Sequence, residues 1–216
     1  MNNNLTEIVF ILDRSGSMAG LEDDTIGGFN VMLEKQKKEP GEALLSAVLF
    51  DHCSEVVYDR VDLQKIEPMT DKQYFVRGST ALLDAIGGAV HHIENVHKYA
   101  REEDRPGKTI FIITTDGMEN ASREYSYRQV SSMVKHAQEA YGWEFLFLGA
   151  NMDAIRAAET FGIRADRAVR YECDGVGTRV NYSVVSQAIG SMRSGRGIDA
   201  DWDAEIRRDY AKRGRR

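Results

Sequence analysis

Asp13, Ser15 and Ser17 stand at alternate positions in Asp13-Arg14-Ser15-Gly16-Ser17-Met18. A carboxylate and two hydroxyls offer only oxygen, and an all-oxygen set suits a hard divalent cation such as Mg²⁺ or Mn²⁺ better than zinc, which favours nitrogen and sulfur. Two later stretches carry the same chemistry. Gly78-Ser79-Thr80 places the Thr80 hydroxyl at the head of a helical pattern, and Thr114-Thr115-Asp116-Gly117 presents a second carboxylate, Asp116. Mg²⁺ takes six oxygens in near-octahedral order and dehydrates reluctantly, so three hydroxyls and two carboxylates leave positions open to water or to an outside ligand.

Both carboxylates close apolar runs, Ile8 to Leu12 and Thr109 to Ile113, whose β-branched content predicts strands buried on both faces. Between and after them the periodicity alternates. A helix is expected from Asp23-Asp24-Thr25, with Ile26, Phe29, Met32 and Leu33 on one face, ending at Glu39-Pro40-Gly41. Strands at Ala43 to Phe50 and Glu55 to Leu63 flank a short turn and predict a hairpin. A second helix begins at Thr80 and carries Leu82, Leu83, Ile86, Val90, Ile93 and Val96; a third runs from Tyr127 to Tyr141. A strand at Glu144 to Gly149, a short helix from Asp153, a strand around Arg167 to Tyr171, and a final helix with Val180, Val184, Val185, Ala188, Ile189 and Met192 complete the pattern. The expected fold is α/β: a doubly wound, Rossmann-like, mostly parallel sheet with one antiparallel edge strand and helices on both faces. Ligands of such sheets sit beyond the carboxyl ends of the strands where the winding reverses, the edge at which Asp13 and Asp116 fall.

The set DRSGS, GSTALLDA and TTDG resembles the metal-ion-dependent adhesion site (MIDAS) of von Willebrand factor type A domains, over a region from about residue 5 to about residue 165. The resemblance implies that Asp13, Ser15, Ser17, Thr80 and Asp116 form the metal site, with no ligand position substituted. It also implies a small stand-alone intracellular protein of bacterial type, which binds a Glu or Asp side chain of a partner protein through Mg²⁺, with Mn²⁺ as the substitute. If neutral hydroxyls touch the ion while a carboxylate acts through water, the ion keeps much of its charge for that outside oxygen. The alternative is a Mg²⁺-dependent phosphatase or phosphotransferase resembling the haloacid dehalogenases, with Asp13 as nucleophile. That family places a second aspartate two residues later, where this chain has Ser15, so the general acid is missing and no catalytic residue is assigned.

With 216 residues, 42% hydrophobic and 29% charged, one domain is expected over 1–193, followed by a charged, partly disordered segment over 194–216. The formal charge of −6 argues against a chain-wide nucleic-acid surface and leaves only weak contact through the basic tail, Arg207 to Arg216. The start of the chain carries no signal pattern, no apolar run reaches the roughly 18 to 20 residues of a membrane span, and the two cysteines, Cys53 and Cys173, read as reduced thiols. A cytoplasmic monomer is therefore expected, with no membrane partner. His91, His92 and His97 lack zinc spacing and read as solvent-facing or capping residues, Asp174-Gly175-Val176-Gly177-Thr178 as a helix-start loop, Trp143 as strand-edge packing and Trp202 as an anchor for the C-terminal segment.

Overall fold

The computed structural model describes residues 1–213. Its strands β1 (Asn2–Asp13), β2 (Glu42–Phe50), β3 (Ser54–Asp62), β4 (Pro106–Thr115), β5 (Glu144–Ala150) and β6 (Ala168–Tyr171) form one sheet in the order β3-β2-β1-β4-β5-β6. Every neighbouring pair is parallel except β2 with β3, so the mixed, doubly wound sheet with one antiparallel edge strand is as expected. The chain leaves β1 towards β2 on one side and returns through β4 on the other. That reversal opens a crevice at the carboxyl edge between β1 and β4.

Among the described residues six α-helices cover the sheet: α1 (Glu22–Lys37), α2 (Leu82–Tyr99), α3 (Tyr127–Tyr141), α4 (Ala154–Thr160), α5 (Gly175–Arg193) and α6 (Ala204–Arg213). Alternate residues of β1 point to opposite faces. Ile8, Phe10 and Leu12 pack with Phe29 and Leu33 of α1 and with Val185 and Ile189 of α5. Val9 and Ile11 pack with Leu82, Ile86 and Ile93 of α2 and with Val134 of α3. No helix among the described residues is long and apolar enough to cross a membrane.

Three features depart from the expectation. The second helix begins at Leu82, leaving Thr80 in the segment before it. His97 is buried rather than exposed: its Nε2 lies 3.3 Å from Glu7 and its ring meets Trp143 edge-on. A further helix follows α5. Within the segment expected to be charged and partly disordered, α6 docks through Trp202 and Ile206, and the Trp202 indole donates to the Asp166 carbonyl at 2.9 Å. Trp202 is thus the anchor expected for that segment, with Ile206 buried and Ile198 partly buried in the same cluster. Gly214, Arg215 and Arg216, the end of the basic tail, lie outside the described residues.

Arg193, the last residue of α5, is 8% exposed and satisfies the end of α1. It donates to the Gln36 carbonyl in the last turn of α1 at 2.5 Å and to the Gly41 carbonyl in the loop after it at 2.8 Å. Arg193→Met should cost about 2 to 4 kcal/mol in urea unfolding, because a buried side chain loses its hydrogen bonds to the end of α1 and to the loop after it together. A loss below about 0.5 kcal/mol, the range of ordinary surface substitutions, would show that those carbonyls find other partners.

Candidate metal centre

The carboxyl ends of β1 and β4 bring the five oxygen-bearing residues together. Leu12 lies opposite Thr114 in the β1–β4 register, so Asp13 and Thr115 emerge side by side and Asp116 follows. The Ser15 and Ser17 hydroxyls are 3.0 Å apart, and Ser17 donates to Asp116 Oδ1. A Cβ placed on Gly117 would come within 2.9 Å of Thr80 Oγ1 and 3.3 Å of Ser17 Oγ, so both hydroxyls border the same glycine and a side chain there would displace one of them. Asp13 is fixed from within the protein: Oδ1 accepts from the Ser15 amide at 2.7 Å and Oδ2 from the Thr115 hydroxyl at 2.6 Å. All of these residues except Ser17 are buried.

Neighbouring loops hold this arrangement. The segment before α2 is stitched to the Asp13–Ser17 loop by Arg77 N to the Arg14 carbonyl at 2.9 Å, Gly16 N to the Gly78 carbonyl at 3.1 Å, and the buried Tyr74 hydroxyl to the Asp13 carbonyl at 2.6 Å. Thr80 is tied in turn to the loop after β4. Its amide donates to Asn120 Oδ1 at 3.0 Å, and its carbonyl accepts from the Asn120 and Ala121 amides. Asp84 accepts the amides of Arg123, Glu124 and Tyr125, while Glu119 accepts those of Leu83, Ala121 and Ser122. Two acidic side chains thereby weld that loop to the start of α2.

Arg14 is fully buried, although it stands between two site residues. Its Nε donates to Asp51 Oδ2 at 3.0 Å and its Nη2 to Glu55 at 2.7 Å. Arg77 reaches the same Asp51 oxygen at 2.7 Å, and both guanidinium groups lie 5.3 Å from the centre of the Phe75 ring. Asp51, His52 and Cys53 bring a carboxylate, an imidazole and a thiol within 4.8 Å of one another. Two guanidinium groups on that carboxylate repel a cation, so the cluster is an anchor for Arg14 rather than a metal site. None of this network is visible as spacing; its one sequence signal is a cationic residue at the tip of a buried strand.

The electrostatics favour a cation at the five-residue site. Burial raises the Asp13 carboxyl above its ordinary value; hydrogen bonds from Thr115 and Ser15 oppose the rise and the nearby Asp116 charge adds to it. Cys173 donates to Asp116 Oδ2 at 3.4 Å, and burial, followed by the Asp116 charge, pushes its thiol up to about 12. The thiol is therefore neutral near pH 7, and the available donors are oxygen. Two carboxylates with three hydroxyls, tight enough to exclude a Cβ at Gly117, are compatible with a divalent cation.

The chain resembles solved structures in fold. It aligns with proximal thread matrix protein 1 of the mussel byssus, whose MIDAS motif is occupied by zinc, at 14% identity and a TM-score of 0.59, covering 88% of this chain and 47% of that one. It aligns with the von Willebrand factor domain of the type V pili tip protein Mfa5 from Porphyromonas gingivalis at 10% identity and a TM-score of 0.58, covering 85% and 94%. A von Willebrand factor type A structure from Catenulispora acidiphila matches at 12% identity and a TM-score of 0.55, covering 87% and 42%. The chain spans about half the length of the byssus structures it matches. No protein-family model matches the sequence, and comparison with curated proteins finds no match.

Asp51 sets a pH dependence. Burial alone would raise its carboxyl, but hydrogen bonds from Arg77 and Cys53 and the charge of Arg14 hold it below its ordinary value of 3.8. Its contribution to stability is therefore complete above that value and is lost as pH falls through the lower folded-state value. Asp51→Asn should cost about 3 kcal/mol at pH 7, because the buried Arg14 keeps only the half-exposed Glu55 as a charged partner, and should flatten the loss of stability below about pH 4. Urea midpoints of both proteins from pH 2 to 7 measure this; parallel curves would remove Asp51 from the acid transition.

Proposed function

We propose that this chain, which has the von Willebrand factor type A fold, is a divalent-cation-dependent protein-binding module. In this reading Asp13, Ser15, Ser17, Thr80 and Asp116 hold Mg²⁺, or Mn²⁺ in its place, and the ion takes a Glu or Asp oxygen from a partner protein. The observation that carries it is the convergence of three neutral hydroxyls and two carboxylates at one sheet edge, with no basic side chain among the described residues bonded to either carboxylate. The bound ion would supply a concentrated positive charge with open coordination positions. The chain's own residues do the rest: Thr115 and the Ser15 amide orient Asp13, and Ser17 orients Asp116.

The surroundings support a macromolecular partner. Phe75, Met118, Tyr127, Ile155 and Val176 are exposed, and each lies in a loop or helix start at the same carboxyl edge. A cleft of about 450 Å³ beside Gly117, lined by Met118, Tyr127, Met152 and Phe161, offers room for an apolar side chain next to an acidic one. Large apolar and aromatic residues around a polar centre are the composition of a binding surface. Binding rather than catalysis is supported by Ser15, which stands where phosphoryl transfer from an Asp13 nucleophile needs an acid. Two free thiols, Cys53 and Cys173, support a reducing compartment, and we assign the protein to the cytoplasm as a monomer.

At about 100 times its Kd, Mg²⁺ should stabilise the folded chain by about 2.7 kcal/mol, read as a rise in Tm. Thr80→Val and Asp116→Asn should remove most of that rise; an undiminished rise in both would move the ion elsewhere. With Mn²⁺ bound, a glutamate-bearing peptide should displace metal-bound water and lower the water-proton relaxation enhancement, while its glutamine counterpart should not. Equal action by the two peptides would eliminate the carboxylate. Phosphate esters should not turn over above buffer, and turnover abolished by Asp13→Asn would replace the binding module with the phosphatase.

A further inference from the structure

A cavity of about 670 Å³ opens at the opposite end of the sheet, between the last turns of α2 and α3 and the starts of β4 and β5. Its volume falls within the range of pockets that enclose small organic molecules. One wall is aromatic. Trp143, 5% exposed, stacks on Phe111 at 5.4 Å between ring centres, meets the His97 ring edge-on at 5.3 Å, and is flanked by Tyr141 at 5.3 Å. His97 is held from behind by the fully buried Glu7.

The charges on this lining are unbalanced. Lys98 and Arg105 both line the cavity, and neither has a carboxylate partner among the described residues; Arg105 reaches only the Ala100 carbonyl, at 3.5 Å, and its buried Nε has no acceptor. The lining carboxylate, Glu94, already accepts from the Tyr141 hydroxyl at 2.9 Å. Two cations against one lining carboxylate, beside an aromatic wall and on a chain whose formal charge is −6, make this lining locally positive. Aromatic faces take planar rings, and paired cations take an anionic group.

We propose that this cavity is a second ligand site, for a small planar organic anion whose ring lies against Trp143 and Tyr141 and whose negative group lies near Lys98 and Arg105. The site is independent of the metal centre, because the two occupy opposite ends of the sheet.

The test uses the full chain in EDTA, so that no cation at the other end can hold the probe. The probe is 8-anilinonaphthalene-1-sulfonate, with the uncharged N-phenyl-1-naphthylamine as its control. The sulfonate should saturate one site per chain, and a ¹H–¹⁵N spectrum should show the Trp143 indole N–H moving while that of Trp202, bonded to Asp166, stays in place. The neutral analogue, and the sulfonate with Lys98→Glu/Arg105→Gln, should each bind at least about tenfold more weakly, as expected when a desolvated charge pair is lost. If that variant does not fold, wild-type sulfonate affinity must still fall as NaCl is raised while the neutral analogue's does not. Absence of saturation, an unmoved Trp143 signal, or equal affinity with and without the charges would each overturn the proposal.

Discussion

Two acids that repel each other are held at one edge of the sheet, and the surrounding structure is arranged to keep them there. Asp13 and Asp116 end parallel strands that are neighbours because the winding reverses between them. Burial works against the charge on Asp13, and the Asp116 charge adds to the penalty. Neutral donors offset it: the Ser15 amide and Thr115 hydroxyl on Asp13, the Ser17 hydroxyl and Cys173 thiol on Asp116. The two acids therefore depend on the loops that deliver those donors, and the loops depend on Tyr74, Asp84, Asn120 and Glu119 for their shape.

The alternate spacing of the first loop has a second consequence. In extended backbone, successive side chains point to opposite sides, and Ser15 is extended at φ −67° and ψ 169°. Asp13 and Ser15 turn towards the site; Arg14 turns away and is buried against Asp51 and Glu55. An arginine at that position is thus an anchor on the reverse side. It ties the loop to the end of β2 with a charged hydrogen bond that cannot move without stranding a buried cation, and Arg77 ties the segment leading to Thr80 to the same carboxylate. One acid, Asp51, thereby sets the positions of two loops that supply the site hydroxyls.

The sheet, and the convergence of five oxygen-bearing residues at one of its edges, were legible in the sequence for related reasons. Buried parallel strands read as unbroken apolar runs, and a site at strand ends appears as polar residues where those runs stop. Charged residues that are buried by pairing were not legible. Arg14 with Asp51, His97 with Glu7, and Arg193 with the end of α1 join positions 37, 90 and about 150 residues apart, and in the sequence each resembles an ordinary solvated residue. Helix α6 was missed for a different reason: Trp202, just before it, was read as an anchor, but within the helix Ile206 alone is buried, and one residue makes no period.

Strand β1 carries two buried carboxylates, and the contrast between them bears on the metal. Glu7, near its start, has a cation built into the protein: Arg60 Nε donates to it at 2.9 Å, beside His97 at 3.3 Å. Asp13, at its end, has amide and hydroxyl donors, and Asp116 has hydroxyl and thiol donors; neither has a bonded basic side chain among the described residues. Buried carboxylates are ordinarily paired with cations or coordinate metals, because the ionised form is costly in a low-dielectric interior. Glu7 follows the first solution within the chain. For Asp13 and Asp116 the chain supplies every neutral donor and withholds the positive charge, which is the arrangement that favours a cation from solution over one from the protein.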